Sequence, residues 1–329
     1  MYKSTIRQSI KRIKVLLLII LLNTPAFSDE IKTIKVGTLQ YGSVNWELDL
    51  MKKMQIDFKN NINVKIVQLA SKNAAAVALQ GKAVDLIVTD WFWVSRQRSQ
   101  GRMFSFVPHS MAAGGLIVNK ESNIKSLDDI KDKKIGIAGG QVDKSWLIFQ
   151  AYYQKKYGKS LKDETEQIFG APPLLNKKIE QGSFDAILTY WPYQARLLAN
   201  GFEKVIDIKS IINKLGISSE VPIIGWVFRD EFAENNKLIL DKFLKSSDEA
   251  KKIMFESSES WEKIRPIMKA ENEDTFIKLR DIYKEGIPKN FSKESIEDAS
   301  ALYGILGDIG GKALIGNSEN LASGTFWSK

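Results

Sequence analysis

The chain contains no cysteine, which excludes a disulfide scaffold, thiolate zinc sites, iron–sulfur clusters, cysteine nucleophiles and a lipid-anchored start. Histidine occurs once, as His109, so Ser–His–Asp catalysis or a multi-histidine metal centre would have to be built around one ring. Its setting, Phe-Val-Pro-His-Ser, reads as a surface or strand-end histidine. Gly-x-Ser-x-Gly, His-Glu-x-x-His and Gly-x-x-x-x-Gly-Lys-Ser/Thr are also missing, which speaks against an enzyme. Gly304, Gly307, Gly310 and Gly311 end a helix with no preceding strand, so they are not a dinucleotide fingerprint. No cofactor and no metal are expected.

What is present is 44% apolar and 26% charged residues over 329 positions, enough core for two domains or one two-lobed unit. The net charge is +9, and much of it stands at the front. Lys3, Arg7, Lys11, Arg12 and Lys14 precede the apolar run Val15 to Leu22, which falls well short of the ~20 residues a spanning helix needs. Ala26-Phe27-Ser28 then supplies small residues for a cut after Ser28, before Asp29-Glu30. Residues 1–28 read as a secretory signal peptide. Its removal takes five basic residues and no acidic ones from +9, leaving +4, too little for a nucleic-acid partner. The remaining lysine-rich stretches, Lys131 to Lys134 and Lys155-Lys156, alternate with acids or aromatics and read as solvated faces. A soluble, monomeric, periplasmic protein is expected.

Laid on itself with an offset near 100 residues, the chain repeats. Asp85-Leu-Ile-Val-Thr-Asp-Trp91 returns as Asp185-Ala-Ile-Leu-Thr-Tyr-Trp191, each behind a Gln-Gly pair at Gln80-Gly81 and Gln181-Gly182. Lys35-Val-Gly37 with Trp46 returns as Lys134-Ile-Gly136 with Trp146. With 8 Trp in the chain, two pairs at that spacing point to duplication. Each unit reads as strand, helix, strand, helix, strand. In the first copy these are Ile34 to Leu39, Trp46 to Phe58, Ile62 to Leu69, Ala74 to Leu79 stopped by a left-handed cap at Gly81, and Val84 to Thr89. The second runs through Lys134 to Ala138, Asp143 to Tyr157, a helix opened by Pro172-Pro173, and Asp185 to Thr189. The fold class is α/β with two βαβαβ lobes. Lobe 1 is assigned to residues 29–113 and 222–329, and lobe 2 to 114–221. The β-rich segments Leu116 to Asn119 and Val221 to Phe228 are the expected hinges. Helical stripes over the last hundred residues are expected to pack on lobe 1 and clamp the hinge.

Ligands of open parallel sheets bind beyond the carboxyl ends of the strands, so the repeat forecasts its own site. The candidates are Gln40, Tyr41, Trp46, Ser71, Asn73, Thr89, Asp90 and Trp91 from one copy. Gly140, Gln141, Asp143, Trp146, Thr189, Tyr190 and Trp191 come from the other, with Trp226 close by. Simple strand-to-helix turns would produce each of these singly; their coincidence in both copies favours a shared cleft. The loops are aromatic and amide-rich, carry Asp90 and Asp143, and contain no arginine, since Arg96, Arg98 and Arg196 lie further into the following helices. Such chemistry suits a flat or amine-bearing organic ligand better than a bare anion, although helix starts at Gly140-Gln141 offer an anion backbone amides.

Several segments together resemble a known family. They are the Ala-rich helix with Gly81-x-x-x-Asp85-Leu-Ile87, the crossover Gly114-Gly115-Leu-Ile-Val, Ser126-Leu-Asp-Asp-Ile-Lys-Asp-Lys-Lys-Ile-Gly136, and Gln181-Gly-x-x-Asp-Ala with Trp191-Pro192. Over most of residues 31–255 the chain is similar to periplasmic substrate-binding proteins of the nitrate, sulfonate, taurine and thiamine-precursor type. That resemblance implies a two-lobed class II periplasmic-binding-protein fold, a ligand held between lobes and the permease of an ABC importer as partner. Members usually carry small residues where Asp90-Trp-Phe-Trp93 stands here, so no member's ligand transfers. Related thiamine-pyrimidine enzymes carry His- and Cys-rich motifs, which are absent. The expected function is an exported receptor that delivers a small organic ligand, for example a thiamine-type pyrimidine, to an importer. The alternatives are an exported enzyme on the same fold, capture of a sulfonate- or nitrate-type anion, and a sensory partner of a membrane receptor.

Overall fold

The computed structural model describes residues 31–217 and 221–328, and the expected signal peptide lies outside the described residues. The first lobe runs β1 (Lys32–Leu39), α1 (Val44–Lys53), α2 (Ile56–Lys59), β2 (Ile62–Leu69), α3 (Lys72–Gln80), β3 (Leu86–Thr89), α4 (Trp91–Arg98) and β4 (Phe104–Ser110). The second runs β5 (Gly115–Val118), a 3-10 turn (Leu127–Asp129), β6 (Lys134–Ala138), α5 (Lys144–Tyr157), α6 (Leu161–Glu164), β7 (Glu166–Gly170), α7 (Pro172–Glu180), β8 (Ala186–Thr189), α8 (Trp191–Ala199), β9 (Glu203–Asp207) and α9 (Ile208–Lys214). Then β10 (Ile224–Arg229) returns to the first sheet, followed by α10 (Asp230–Asn235), α11 (Lys237–Glu256), α12 (Glu259–Met268), α13 (Glu273–Glu285) and α14 (Lys293–Ile315). Within α14 the helix is broken at Gly311.

Two five-stranded sheets result, ordered β2-β1-β3-β10-β4 and β7-β6-β8-β5-β9. Each repeat supplies three parallel strands, and β10 and β5 take the same place in the two sheets, each antiparallel to the third strand of its repeat. The segments expected as hinges are therefore mostly sheet strands. An apolar β-branched run buried on both faces looks alike in sequence whether it crosses between lobes or lies inside one. Among the described residues, the crossings are instead residues 111–114 and, on the return, 215–217 and 221–223. Gly114 serves the first of them, because a Cβ there would sit 1.6 Å from the carbonyl oxygen of Thr189.

The repeated aspartates have a structural reason. Asp85 Oδ2 accepts the Lys35 amide at 2.8 Å while its own amide donates to the Lys35 carbonyl, and Asp185 holds Lys134 in the same way at 2.8 Å. Each clips the start of a third strand to the first. Similarly, Ser126 and Asp129 form a reciprocal cap on the 3-10 turn before β6, so the most family-like motif is a turn remote from the strand ends.

Local expectations differ at two points. The helix read from Trp46 to Phe58 breaks after Lys53, where Gln55 takes φ 56°. Gly81 has φ −80°, and the left-handed residue after α3 is Lys82 at φ 60°, so the reversal is placed one residue later than glycine chemistry alone suggests.

The C-terminal helices do not pack on lobe 1 alone. Helix α12 lies on α1 in lobe 1, α13 on α8 in lobe 2, and α14 touches both α5 and α4. A single core gathers Trp46 and Leu50 of α1, Trp191 and Ala195 of α8, Trp261 and Ile264 of α12, and Tyr283 of α13. The Met111 amide, at the first crossing, donates to the Gly286 carbonyl at 2.7 Å.

Candidate ligand-binding site

Helix starts from both lobes meet beyond the strand ends, and their caps are written in the sequence. Ser71 accepts the Ala74 amide at 3.1 Å, Asp90 the Trp93 amide at 3.0 Å, and Asp143 the Ser145 amide at 3.0 Å. Such caps leave further amides of the first turn facing outward, where they favour negative charge. α4 starts directly behind Thr89-Asp90, and α8 directly behind Thr189-Tyr190.

Two lysines, which the sequence reading passed over, span the lobes. Lys144 Nζ of α5 reaches Asp90 Oδ2 at 2.9 Å, and Lys72 Nζ of α3 stands 5.9 Å from the centre of the Tyr190 ring. Each is the first residue of its helix, immediately after a cap. That adjacency was the available signal, because a long side chain at the first turn beside a strand end can reach across a cleft. Tyr190 Oη in turn donates to Asp143 Oδ2 at 2.7 Å, and Gly139, with φ 94°, leaves room for that hydroxyl, which would lie 2.6 Å from a Cβ.

Burial opposes ionisation of Asp90, yet the charge and hydrogen bond of Lys144, the Trp93 amide and the charge of Lys72 outweigh it and hold the carboxyl below its ordinary value. Tyr190 moves the other way: burial first, then the charge and hydrogen bond of Asp143 and the charge of Asp90, push the phenol up. Asp90, Asp143, Lys72, Lys144 and Tyr190 thus come together where the two lobes meet.

Most of the other candidates are accessible. Gln40, Ser71, Asn73, Gly140 and Gln141 are exposed, and Tyr41 is 73% exposed with Lys269 Nζ 4.9 Å from its ring centre. Thr89 is half-buried, whereas Thr189 is buried at the end of β8.

The tryptophans require correction. Trp226 is a lobe 1 core residue donating to Ser247 Oγ at 3.1 Å, and Trp146 is fully buried with its ring against Phe149 and Phe169. Trp91 stacks on Phe92 at 4.1 Å and donates to the Pro222 carbonyl at 2.9 Å. Trp46 and Trp191 pack against each other and Tyr283. All five are at most 7% exposed. Large rings at the first turn of a helix gain more by filling the seam between packed elements than by facing solvent. The arginines likewise hold the C-terminal region, Arg98 to Asp230 at 2.7 Å and Arg196 to Glu271. His109 lies near the end of β4 but is buried, its Nδ1 3.4 Å from Glu47 Oε2.

Two lobes of equivalent strand order, crossed twice by the chain and facing each other with their helix starts, make this an α/β fold of the periplasmic-binding-protein class. The chain belongs to the NMT1/THI5 like family, which it matches over residues 58–260. Its structure is similar to the periplasmic aliphatic sulphonate binding protein SsuA from Escherichia coli, at 17% identity and TM-score 0.70 over 90% of this chain and 92% of that one. It is also similar to the alkanesulfonate-binding protein SsuA from Xanthomonas axonopodis pv. citri bound to MOPS, at 13% identity and TM-score 0.64 over 90% and 98%. A mutant of DszB in complex with biphenyl-2-sulfinic acid shares the fold at 10% identity and TM-score 0.59 over 84% and 92%. At these identities the likeness establishes the fold. No curated protein matches the sequence.

Proposed function

We propose that this chain is an exported, monomeric solute-binding receptor that captures a small organic ligand between its lobes and delivers it to the permease of an ABC importer. The observation that carries this reading is the Lys144–Asp90 contact, which joins helix starts of opposite lobes beyond the carboxyl ends of their strands. The SsuA likenesses support the same role. No helix among the described residues is long and apolar enough to cross a membrane; cleavage behind Ser28 is part of the proposal. Intact mass of the exported protein checks that cut; recovery of the uncleaved chain in the inner membrane overturns it.

For the ligand, the amine-bearing expectation keeps Asp90 and Asp143, while the flat-ring expectation loses its tryptophan walls. A thiamine-type pyrimidine would have Tyr41 and Tyr190 as its aromatic partners. A second reading, an anionic sulfonate- or nitrate-type ligand, is favoured by Lys72, Lys144 and the outward amides of the helix starts. General-acid chemistry at these carboxyls is disfavoured by the same geometry. Asp90 is held below its ordinary value and Asp143 is occupied by Ser145 and Tyr190, whereas a general acid needs a raised, free carboxyl.

A thermal-shift screen of the mature protein tests the role, because a ligand stabilises by RT ln(1 + [L]/Kd). Stabilisation by an organic solute, with a smaller radius of gyration on saturation, is expected. A saturating ligand bound without compaction, at a place untouched by Asp90→Asn, overturns capture between lobes.

A further inference from the structure

The contact between Asp90 and Lys144 has the geometry of a latch. Asp90 is the cap of α4 in lobe 1 and Lys144 opens α5 in lobe 2, and the pair is partly shielded, with side-chain exposures of 16% and 34%. Anything entering between the lobes at this point must part it. A buried or half-buried charge left without its partner is expensive, and more so once a ligand has displaced the water around it. A purely anionic solute would satisfy Lys144 and strand Asp90; a purely cationic one would do the reverse.

We propose that Asp90 and Lys144 are an interlobe latch whose two charges are taken over by the ligand, and that the cargo is accordingly a small dipolar molecule bearing both a cationic and an anionic group. The inference rests on the receptor reading above. It is supported by the mixture of charges there, since Asp90 meets Lys144 while Lys72 and Asp143 both stand against Tyr190. Asp143 already has both oxygens engaged, by the Ser145 amide and the Tyr190 hydroxyl, so Asp90 is the carboxylate whose partner changes. Its Oδ1 stays on the Trp93 amide while Oδ2, now on Lys144, turns to the ligand's cation. The ammonium of Lys144, with Lys72 near, turns to the ligand's anion beside the starts of α3 and α5. Latch and ligand then exclude each other at one place, so the closed form is held by protein charges in one state and by ligand charges in the other.

The test has two arms. In the first, the mature protein carries a spin label on each lobe and interlobe distances are measured without added solute. Asp90→Asn, which keeps the cap, and Lys144→Gln should each shift the distribution to longer distances, and the double variant should shift it no further. Unchanged distributions in both single variants overturn the latch, whatever the cargo is. In the second, calorimetry compares 4-aminobutanoate, butanoate and butylammonium, which share a carbon chain and differ in charge. The dipolar compound should bind most tightly, and Asp90→Asn should weaken it about ten- to a hundredfold, the range for losing a hydrogen bond to a charged group, while leaving butanoate as tight or tighter. Equal binding of butanoate and 4-aminobutanoate, or binding of neither, overturns the dipolar cargo. A receptor role would still stand if another solute stabilised and compacted the protein, and would fail separately if none did.

Discussion

Trp46 of lobe 1 and Trp191 of lobe 2 meet edge to face, with ring centres 5.7 Å apart and planes at 90°. Each belongs to a repeated pair, Trp46 with Trp146 and Trp91 with Trp191, and the other two members, Trp91 and Trp146, lie in a different buried cluster. Trp46 and Trp191 are thus interlobe packing, filled out by Tyr283 and Trp261, whereas Trp91 packs on Phe92 and Tyr303 and Trp146 on Phe149 and Phe169.

Trp46→Ala and Trp191→Ala should each cost ~3–5 kcal/mol, the usual range for emptying a buried aromatic site. The double variant should cost less than the sum, because both single changes remove the same contact. Urea unfolding followed by circular dichroism checks both statements. Additive losses would show that the rings are energetically independent.

Burial first, and then the charge of Lys251, hold His109 well below its ordinary 6.5. The folded chain keeps the ring neutral while the unfolded chain binds a proton, so stability falls as pH drops through 6.5. Of the groups around it, Glu47 is raised by burial against the pull of Lys251 and the Ser247 hydroxyl, and works in the opposite sense. The readout is therefore the difference between parent and His109→Gln. Melting temperatures measured from ~pH 7 to ~pH 5 should fall less steeply in the variant, the full effect being about 1.4 kcal/mol per pH unit. Parallel curves would mean that the histidine is protonated in the folded chain.

Asp185→Ala should destabilise by about 1 kcal/mol, because it removes the acceptor of the Lys134 amide at a water-accessible strand start. Solute affinity should not move, since the carboxylate clips two strands together and stands away from the helix starts. A loss of binding with unchanged melting temperature would reassign the repeated aspartate to the ligand.

Gly114→Ala should prevent accumulation of folded protein, since its Cβ would fall on the Thr189 carbonyl, whereas Gly140→Ala, with open space around it, should melt close to the parent. Soluble yield and melting temperature of the two variants give the comparison.

Much of the architecture was legible in the chain. Hydrophobic alternation, prolines at the first turn of α7, and the near-100-residue repeat located all three parallel strands of lobe 1, the first and third of lobe 2 and most of the helices between them, because these depend on local propensity and on a face to bury. Ser71, Asp90 and Asp143 were legible as strand-end polar residues for the same reason: a helix start needs a cap nearby in sequence. Lys72 and Lys144 were missed because a lysine at a first turn carries no signature of its own.

By itself the sequence determined the duplication, the α/β class, the caps that line the strand ends and the poverty of catalytic groups. The tertiary structure decided which side of each helix start faces the cleft. Trp46 and Trp146 are the third residues of their helices, and Trp91 and Trp191 the first of theirs; from such positions a ring can turn toward a ligand or toward the neighbouring lobe. That choice depends on how the lobes dock and on where α12, α13 and α14 lie across them, contacts between residues as far apart as Trp46 and Tyr283. Burial of these four indoles among packed elements outweighed exposure at the strand ends.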